Sequence, residues 1–95
     1  MAVAVTMDFD GTTLEQYDAV IERMGFTPGG GGPQGLLFHW ACETPTGIRV
    51  TDVWESRERF DRFAQEQIGP ITEEVGVPGP PKSDYTEVHG YLTAP

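Results

Sequence analysis

The chain is poor in cations, in cysteine and in long apolar runs, and each shortage excludes something. Six Lys and Arg stand against fifteen Asp and Glu, for a net charge of −9. Lys82 is the one lysine, and the arginines are scattered. Nucleic acid and anionic membrane surfaces both demand a positive footprint, so neither is an expected partner. A polyanion is repelled over most of such a surface, which leaves a neutral, apolar or aromatic small molecule as the expected ligand. Cys42 has no second cysteine to pair with, so a disulfide-stapled secreted domain is not expected. No stretch approaches the ~20 apolar residues of a membrane span. The opening Met-Ala-Val-Ala-Val-Thr-Met-Asp lacks the basic region and the apolar length of a signal peptide, and a cytoplasmic protein is the expectation.

What is present reads as one domain over residues 1–95. A chain of this size buries only ~60–65% of its unfolded surface, so association is one remedy for a modest core. Ala2–Met7 reads as a Val-rich strand. Thr12 or Thr13 caps a helix, with Glu15 or Gln16 as the capping-box partner. Its apolar stripe is Leu14, Tyr17, Val20 or Ile21, and Met24, and Gly25 ends it. Thr27–Gln34 is a Gly-rich flexible loop; Gly29–Gly32 lacks the Lys-Ser/Thr of a phosphate loop. Gly35–Cys42 and Ile48–Glu55 read as strands around the turn residues Thr44-Pro45-Thr46-Gly47. Ser56 caps a second helix with the stripe Phe60, Phe63, Ala64 and Ile68, and Gly69-Pro70 is expected to kink or break it. A further turn, Ile71–Val75, ends at Gly76. Val77–Lys82 is Pro-rich, and Asp84–Thr93 is the last strand. The order β-α-β-β-α-β predicts an α+β ferredoxin-like fold: a four-stranded antiparallel sheet, two helices on one face, strand order 4-1-3-2.

The hairpin carries the candidate chemistry. Closed with a two- or four-residue loop, its ladder sets His39 opposite Asp52, with Cβ atoms about 5 Å apart on one face. Leu37 is then expected opposite Trp54, and Ala41 opposite Val50. A carboxylate beside an imidazole fixes its tautomer and raises its basicity, which suits a general base near neutral pH. The bland alternative is a buried polar pair that satisfies itself and fixes register.

Both faces of the hairpin are apolar enough to need cover, whereas an antiparallel sheet with one wet face alternates apolar with polar. Two helices cover one face; an identical sheet from a second subunit is the simplest cover for the other, so a homodimer is expected. The Phe38/Trp40/Val53 side is assigned to the helices, with Val88 and Leu92. The His39/Asp52/Trp54 side, with His89 and Tyr91, is assigned to the enclosed interior.

Two other constellations are weaker. Asp8-Phe9-Asp10-Gly11-Thr12 resembles the first motif of haloacid-dehalogenase-like phosphatases, but the chain is too short for that parallel core, and a strand-to-helix turn is the preferred reading. A metal site of His39, His89 and Asp52 is not expected, because the strand bearing His89 lies ~10 Å from the hairpin strand bearing Asp52.

The run Val53-Trp54-Glu55-Ser56-Arg57-Glu58-Arg59-Phe60, behind a His-bearing strand, resembles the dimeric α+β barrel superfamily, whose best known members are antibiotic-biosynthesis-monooxygenase-like proteins. Gly11–Val20 also resembles the first helix of small members. The resemblance implies a homodimer with a pocket between sheet and helices in each subunit. Some members oxidise polycyclic phenols with dioxygen and no cofactor, while others degrade haem, isomerise or cyclise. The quinone-forming members use an Asn with a Trp and a Tyr. This chain has no Asn; Trp54 matches the Trp, and Tyr17 or Tyr91 is placed to serve as the Tyr. The expected function is therefore binding of a neutral aromatic or polyketide-like molecule, without metal or cofactor, with catalysis by His39 and Asp52. Trp54, His89, Tyr91, Tyr17 and Leu37 are the expected ligand contacts. The alternative is a non-catalytic binding or assembly module.

Overall fold

The computed structural model describes residues 1–95. Its elements are β1 (Val3–Asp10), α1 (Leu14–Met24), β2 (Leu36–Thr44), β3 (Gly47–Trp54), α2 (Arg57–Phe63), a π-helical turn (Ala64–Ile68), α3 (Gly69–Val75) and β4 (Lys82–Glu87). The strands form one antiparallel sheet in the order β2-β3-β1-β4, the expected order read from its other edge. No helix is long and apolar enough to cross a membrane.

Local chemistry accounts for the helix ends. Thr13 is the N-cap of α1: its hydroxyl accepts from the Gln16 N–H, and the Gln16 side chain accepts from the Thr13 N–H. Such a cap contributes about 1 kcal/mol. Gly25 closes α1 in the left-handed region, at φ 87°. Thr12, the other candidate cap, is buried, and its hydroxyl has no partner.

Gly69-Pro70 neither breaks nor sharply ends the second helical segment. Pro70 has no N–H to donate and its ring crowds the preceding turn. The chain answers by widening into a π-helical turn just before it, where the Gly69 N–H reaches the Ala64 carbonyl. Helix then resumes through α3 to Gly76, which adopts φ 93°.

The core lies between the helices and one face of the sheet. Val3, Val5, Met7 and Phe9 of β1 are buried there with Trp54, Val50 and Ile48 of β3 and Phe60 of α2. This inverts the expected assignment of faces. The His39/Asp52/Trp54 side meets the helices, while Phe38 and Trp40 are 52% and 46% exposed on the open side. The deciding signal is β1, not the hairpin. Its alternate residues Ala4, Thr6 and Asp8 are small or polar, so only the Val3–Phe9 set needs a full cover, and register ties that set to Asp52 and Val50.

The last strand is also shorter than expected. It ends at Glu87, followed by a bond from the Val88 N–H to the Ala2 carbonyl. Leu92 is fully exposed instead of facing a helix, and Tyr85 is the β4 residue that meets α2, its ring edge-on to Phe60.

At the hairpin's base, the backbone of Gly47 lies against β1. A Cβ built on Gly47 would sit 2.1 Å from the Phe9 carbonyl oxygen and about as close as 3.0 Å to the Gly11 nitrogen. Both are ladder atoms that cannot move aside cheaply. Gly47→Ala is therefore expected to lose about 3 kcal/mol in urea unfolding, with the slope unchanged; an unaltered midpoint contradicts this close approach.

Candidate functional site

Three elements bring four side chains into one hydrogen-bonded line. The β2–β3 register sets His39 opposite Asp52, as the turn spacing predicts. Period two then puts Trp54 on the same face as Asp52. Helix α1 crosses above, and Tyr17, one turn in from the Thr13 cap, points down from its apolar stripe. The Tyr17 hydroxyl lies 2.5 Å from His39 Nε2. His39 Nδ1 lies 2.6 Å from Asp52 Oδ1. Trp54 Nε1 donates to Asp52 Oδ2 at 3.0 Å.

One set of protons satisfies all three contacts. An indole N–H only donates, so Asp52 Oδ2 accepts from Trp54. Oδ1 accepts from His39 Nδ1–H, and neutral His39 then presents Nε2 as the acceptor for the Tyr17 phenol. The tyrosine and imidazole planes are within 7° of parallel, with centroids 6.0 Å apart. Asp52 is 4% exposed, whereas the His39 side chain is 27% exposed, so the line runs from a buried carboxylate to a half-open end at Tyr17. Burial of the Tyr17 phenol raises its pKa above 10.0, and the charges of Asp52 and Asp18 push the same way. Tyr17 is therefore a phenol, not a phenolate, at neutral pH.

Trp54, 1% exposed, forms the wall behind this line, packed on Phe60 and Phe63 of α2 with ring centroids 5.9 and 5.2 Å away. Beyond that wall lies a cleft of about 540 Å³ between the α2–α3 segment and the β1–β4 half of the sheet. Met7, Phe60, Ile68 and Tyr85 line it, with Pro80 and Pro81 of the Pro-rich strap. None of Tyr17, His39, Asp52 or Trp54 lines the cleft.

Other expected site residues lie elsewhere. A bulge between Leu36 and Phe38 sets Leu36, not Leu37, against Trp54. Leu37 is the extra residue, and the bulge lies on the far side of Phe38 from the turn, so the His39–Asp52 pair survives it. His89 and Tyr91 lie past the end of β4, exposed, and do not join the relay. No group of three or more His, Cys, Asp or Glu side chains is placed to hold a metal ion. Asp8 is held by Arg49 at 2.7 Å on the open face, and Asp10 accepts from the Thr46 hydroxyl, so the Asp-Phe-Asp-Gly-Thr string acts as strand end and turn.

Sequence reasoning named Tyr17 as a ligand contact and missed it as a relay member. The signal was the phenol itself: a Tyr in an apolar stripe that faces a sheet needs a partner for its hydroxyl. Tyr85 was missed outright. It sits on the core face in the His39–Asp52–Val5 row, with the Arg57 guanidinium 3.7 Å over its ring.

The fold is a ferredoxin-like α+β arrangement, a four-stranded antiparallel sheet with its helices on one face. Among the solved structures that share it are two from Streptomyces. One is a monooxygenase from the gene ActVA-Orf6 of Streptomyces coelicolor, in complex with nanaomycin D. It superposes with a TM-score of 0.54 at 19% identity, over 99% of this chain and 92% of that one. The other is SnoaB, a cofactor-independent oxygenase from Streptomyces nogalater, in an asparagine-to-alanine variant, with a TM-score of 0.51 at 15% identity over 99% and 95% of the two chains. No family model matches the sequence, and no curated protein does.

The raised pKa of Tyr17 has a readable consequence. A folded-state pKa above the unfolded 10.0 means that its share of stability is intact below pH 10 and is lost as pH rises through the raised value. In an absorbance titration, Tyr17→Phe is expected to remove a step centred above pH 10; a variant whose titration above pH 10 is unchanged contradicts the assignment.

Proposed function

We propose that this protein is a small-molecule enzyme that takes a proton from a neutral aromatic, polyketide-like substrate through the Tyr17–His39–Asp52 line. The observation that supports this reading is the pair of short contacts of 2.5 and 2.6 Å on either side of the His39 ring. A substrate hydroxyl or acidic C–H at the open end gives its proton to the Tyr17 oxygen as the Tyr17 proton moves to His39 Nε2. The imidazolium is held by the Asp52 carboxylate, which the Trp54 N–H anchors. Negative charge is left on the substrate, and an electron-rich carbanion of this kind reduces dioxygen without a cofactor. The two oxygenases that share the fold support dioxygen as the second substrate, and the nanaomycin complex supports the ligand class.

The test is dioxygen uptake with a dihydroxynaphthalene or an anthrone as substrate. Tyr17→Phe and His39→Gln are each expected to lower kcat about 100-fold with little change in KM. Undiminished turnover in both variants rejects the reading.

The separate cleft favours a second reading, a domain that binds its ligand without turning it over. In that case Ile68→Trp, which fills the cleft, abolishes ligand binding in calorimetry, while Tyr17→Phe leaves it intact and the unaltered protein consumes no dioxygen.

The functional unit is proposed to be a homodimer that joins the open sheet faces. Phe38 and Trp40 stand exposed there beside Ala4, Thr6, Thr51 and Val53, a patch with no charge in its rows until Asp84 at the β4 edge. Sedimentation at micromolar concentration is expected to give a dimer, and Trp40→Glu a folded monomer. A monomeric unaltered chain rejects the pairing.

A further inference from the structure

The Tyr17 end of the line is built for more than proton transfer. Removing an electron from a phenol that keeps its proton leaves a radical cation, a strongly acidic and high-energy species. The electron comes off far more readily when a base accepts the proton in the same step. That demands a base close to the O–H and stabilised once protonated. His39 Nε2 meets the first demand at 2.5 Å. Asp52 meets the second, since its buried carboxylate already holds the opposite nitrogen at 2.6 Å.

The other tyrosines offer a contrast within the same chain. The Tyr85 ring lies beneath the Arg57 guanidinium at 3.7 Å, and a cation over the ring opposes the loss of an electron from it. Tyr91 is half-exposed, outside any strand, with no side-chain base bonded to its hydroxyl. Only Tyr17 has a base in place.

We propose that Tyr17 is a redox-active tyrosine, oxidised by one electron to a neutral tyrosyl radical while its proton moves to His39. The oxidant is a hydroperoxyl or aryloxyl radical. It takes the electron and becomes a hydroperoxide or phenolate anion. The phenolic O–H breaks and a new N–H forms on Nε2, with its positive charge held against Asp52. When an electron returns, the proton goes back along the same hydrogen bond. When a substrate phenolate or carbanion passes one electron to dioxygen, the products are an aryloxyl-type radical and superoxide, and superoxide becomes hydroperoxyl on taking a proton. Tyr17, at the open end of the line, would quench them before they reach Trp54. The inference rests on the proton-transfer reading for its oxidants, while the oxidation of Tyr17 itself can be driven without substrate.

The experiment oxidises the full chain with flash-generated tris(bipyridine)ruthenium(III) at pH 7 and records freeze-trapped electron paramagnetic resonance spectra. A neutral tyrosyl signal is expected that survives in a Tyr85→Phe/Tyr91→Phe variant and is lost in Tyr17→Phe. Oxidation is expected to be at least roughly tenfold faster than that of N-acetyltyrosinamide, and independent of buffer concentration because the base is internal. In His39→Gln the rate should fall to that of the free amide and become buffer-dependent. A signal that persists in Tyr17→Phe, or an unaltered-chain rate that climbs with buffer base, overturns the proposal. Should His39→Gln fail to fold, the Tyr17→Phe spectrum and the buffer dependence of the unaltered chain decide it. Turnover with a phenolic substrate but no tyrosyl signal overturns this inference and leaves the proton-transfer reading standing.

Discussion

A buried carboxylate at the centre of the helix face organises this molecule. Asp52 sits in β3 among Val5, Val50 and Trp54, where an unpaired charge would cost several kcal/mol. It survives because both of its oxygens are occupied, one by the Trp54 indole and one by His39. Each partner carries a structural demand. Trp54 must lie two residues along the same strand, His39 must lie directly across the ladder, and the ring must be turned so that its far nitrogen looks up at α1. There Tyr17 closes the line and ties the helix to the sheet edge. A slip of one residue in the β2–β3 register would turn His39 to the open face and leave Asp52 buried and half-satisfied.

Much of this was legible because it rests on local rules. The turn residues and strand lengths place His39 across from Asp52, the Thr13 capping box and Gly25 bracket α1, and the element order gives the sheet topology. What was not legible depends on comparison between elements. The hairpin alone is apolar on both faces, so it cannot say which face the helices take. β1 can, since Val3, Val5, Met7 and Phe9 alternate with Ala4, Thr6 and Asp8. The bulge at Leu37 has no sequence mark beyond the glycine two residues before it, and its effect is to exchange one leucine for its neighbour against Trp54. The end of β4 at Glu87 was hidden because Val88 and Leu92 continue a strand-like alternation that no neighbour pairs with beyond Ala2.

Pro70 shows how a local rule can hold in chemistry and fail in outcome. The missing N–H and the crowding ring are real, and a break was the direct expectation. The π-helical turn absorbs them within the helix, and the widened turn delivers Ile68 and Gly69 to the cleft wall. The irregularity that sequence reads as an ending is here a lining of the cleft between helices and sheet.

That space and the proton line share a mechanical element. Among the residues of α1, only Val20 is fully buried, so the helix carries little of the core itself. It leans instead on α3, through the Gln16 side chain donating to the Gly76 carbonyl and the Arg23–Glu74 pair at 3.0 Å. The second of these is solvent-exposed and contributes little. The position of Tyr17 over His39 thus depends on α3, and α3 is also a wall of the cleft through Gly69 and Thr72. On the sheet side, Trp54 and Phe60 form the partition between the two, with Trp54 bonded into the line and Phe60 facing the cleft. The hydrogen-bonded line at Tyr17 and the volume under the Pro-rich strap are therefore two ends of one packed unit, joined by α3 above and by the Trp54–Phe60 contact below.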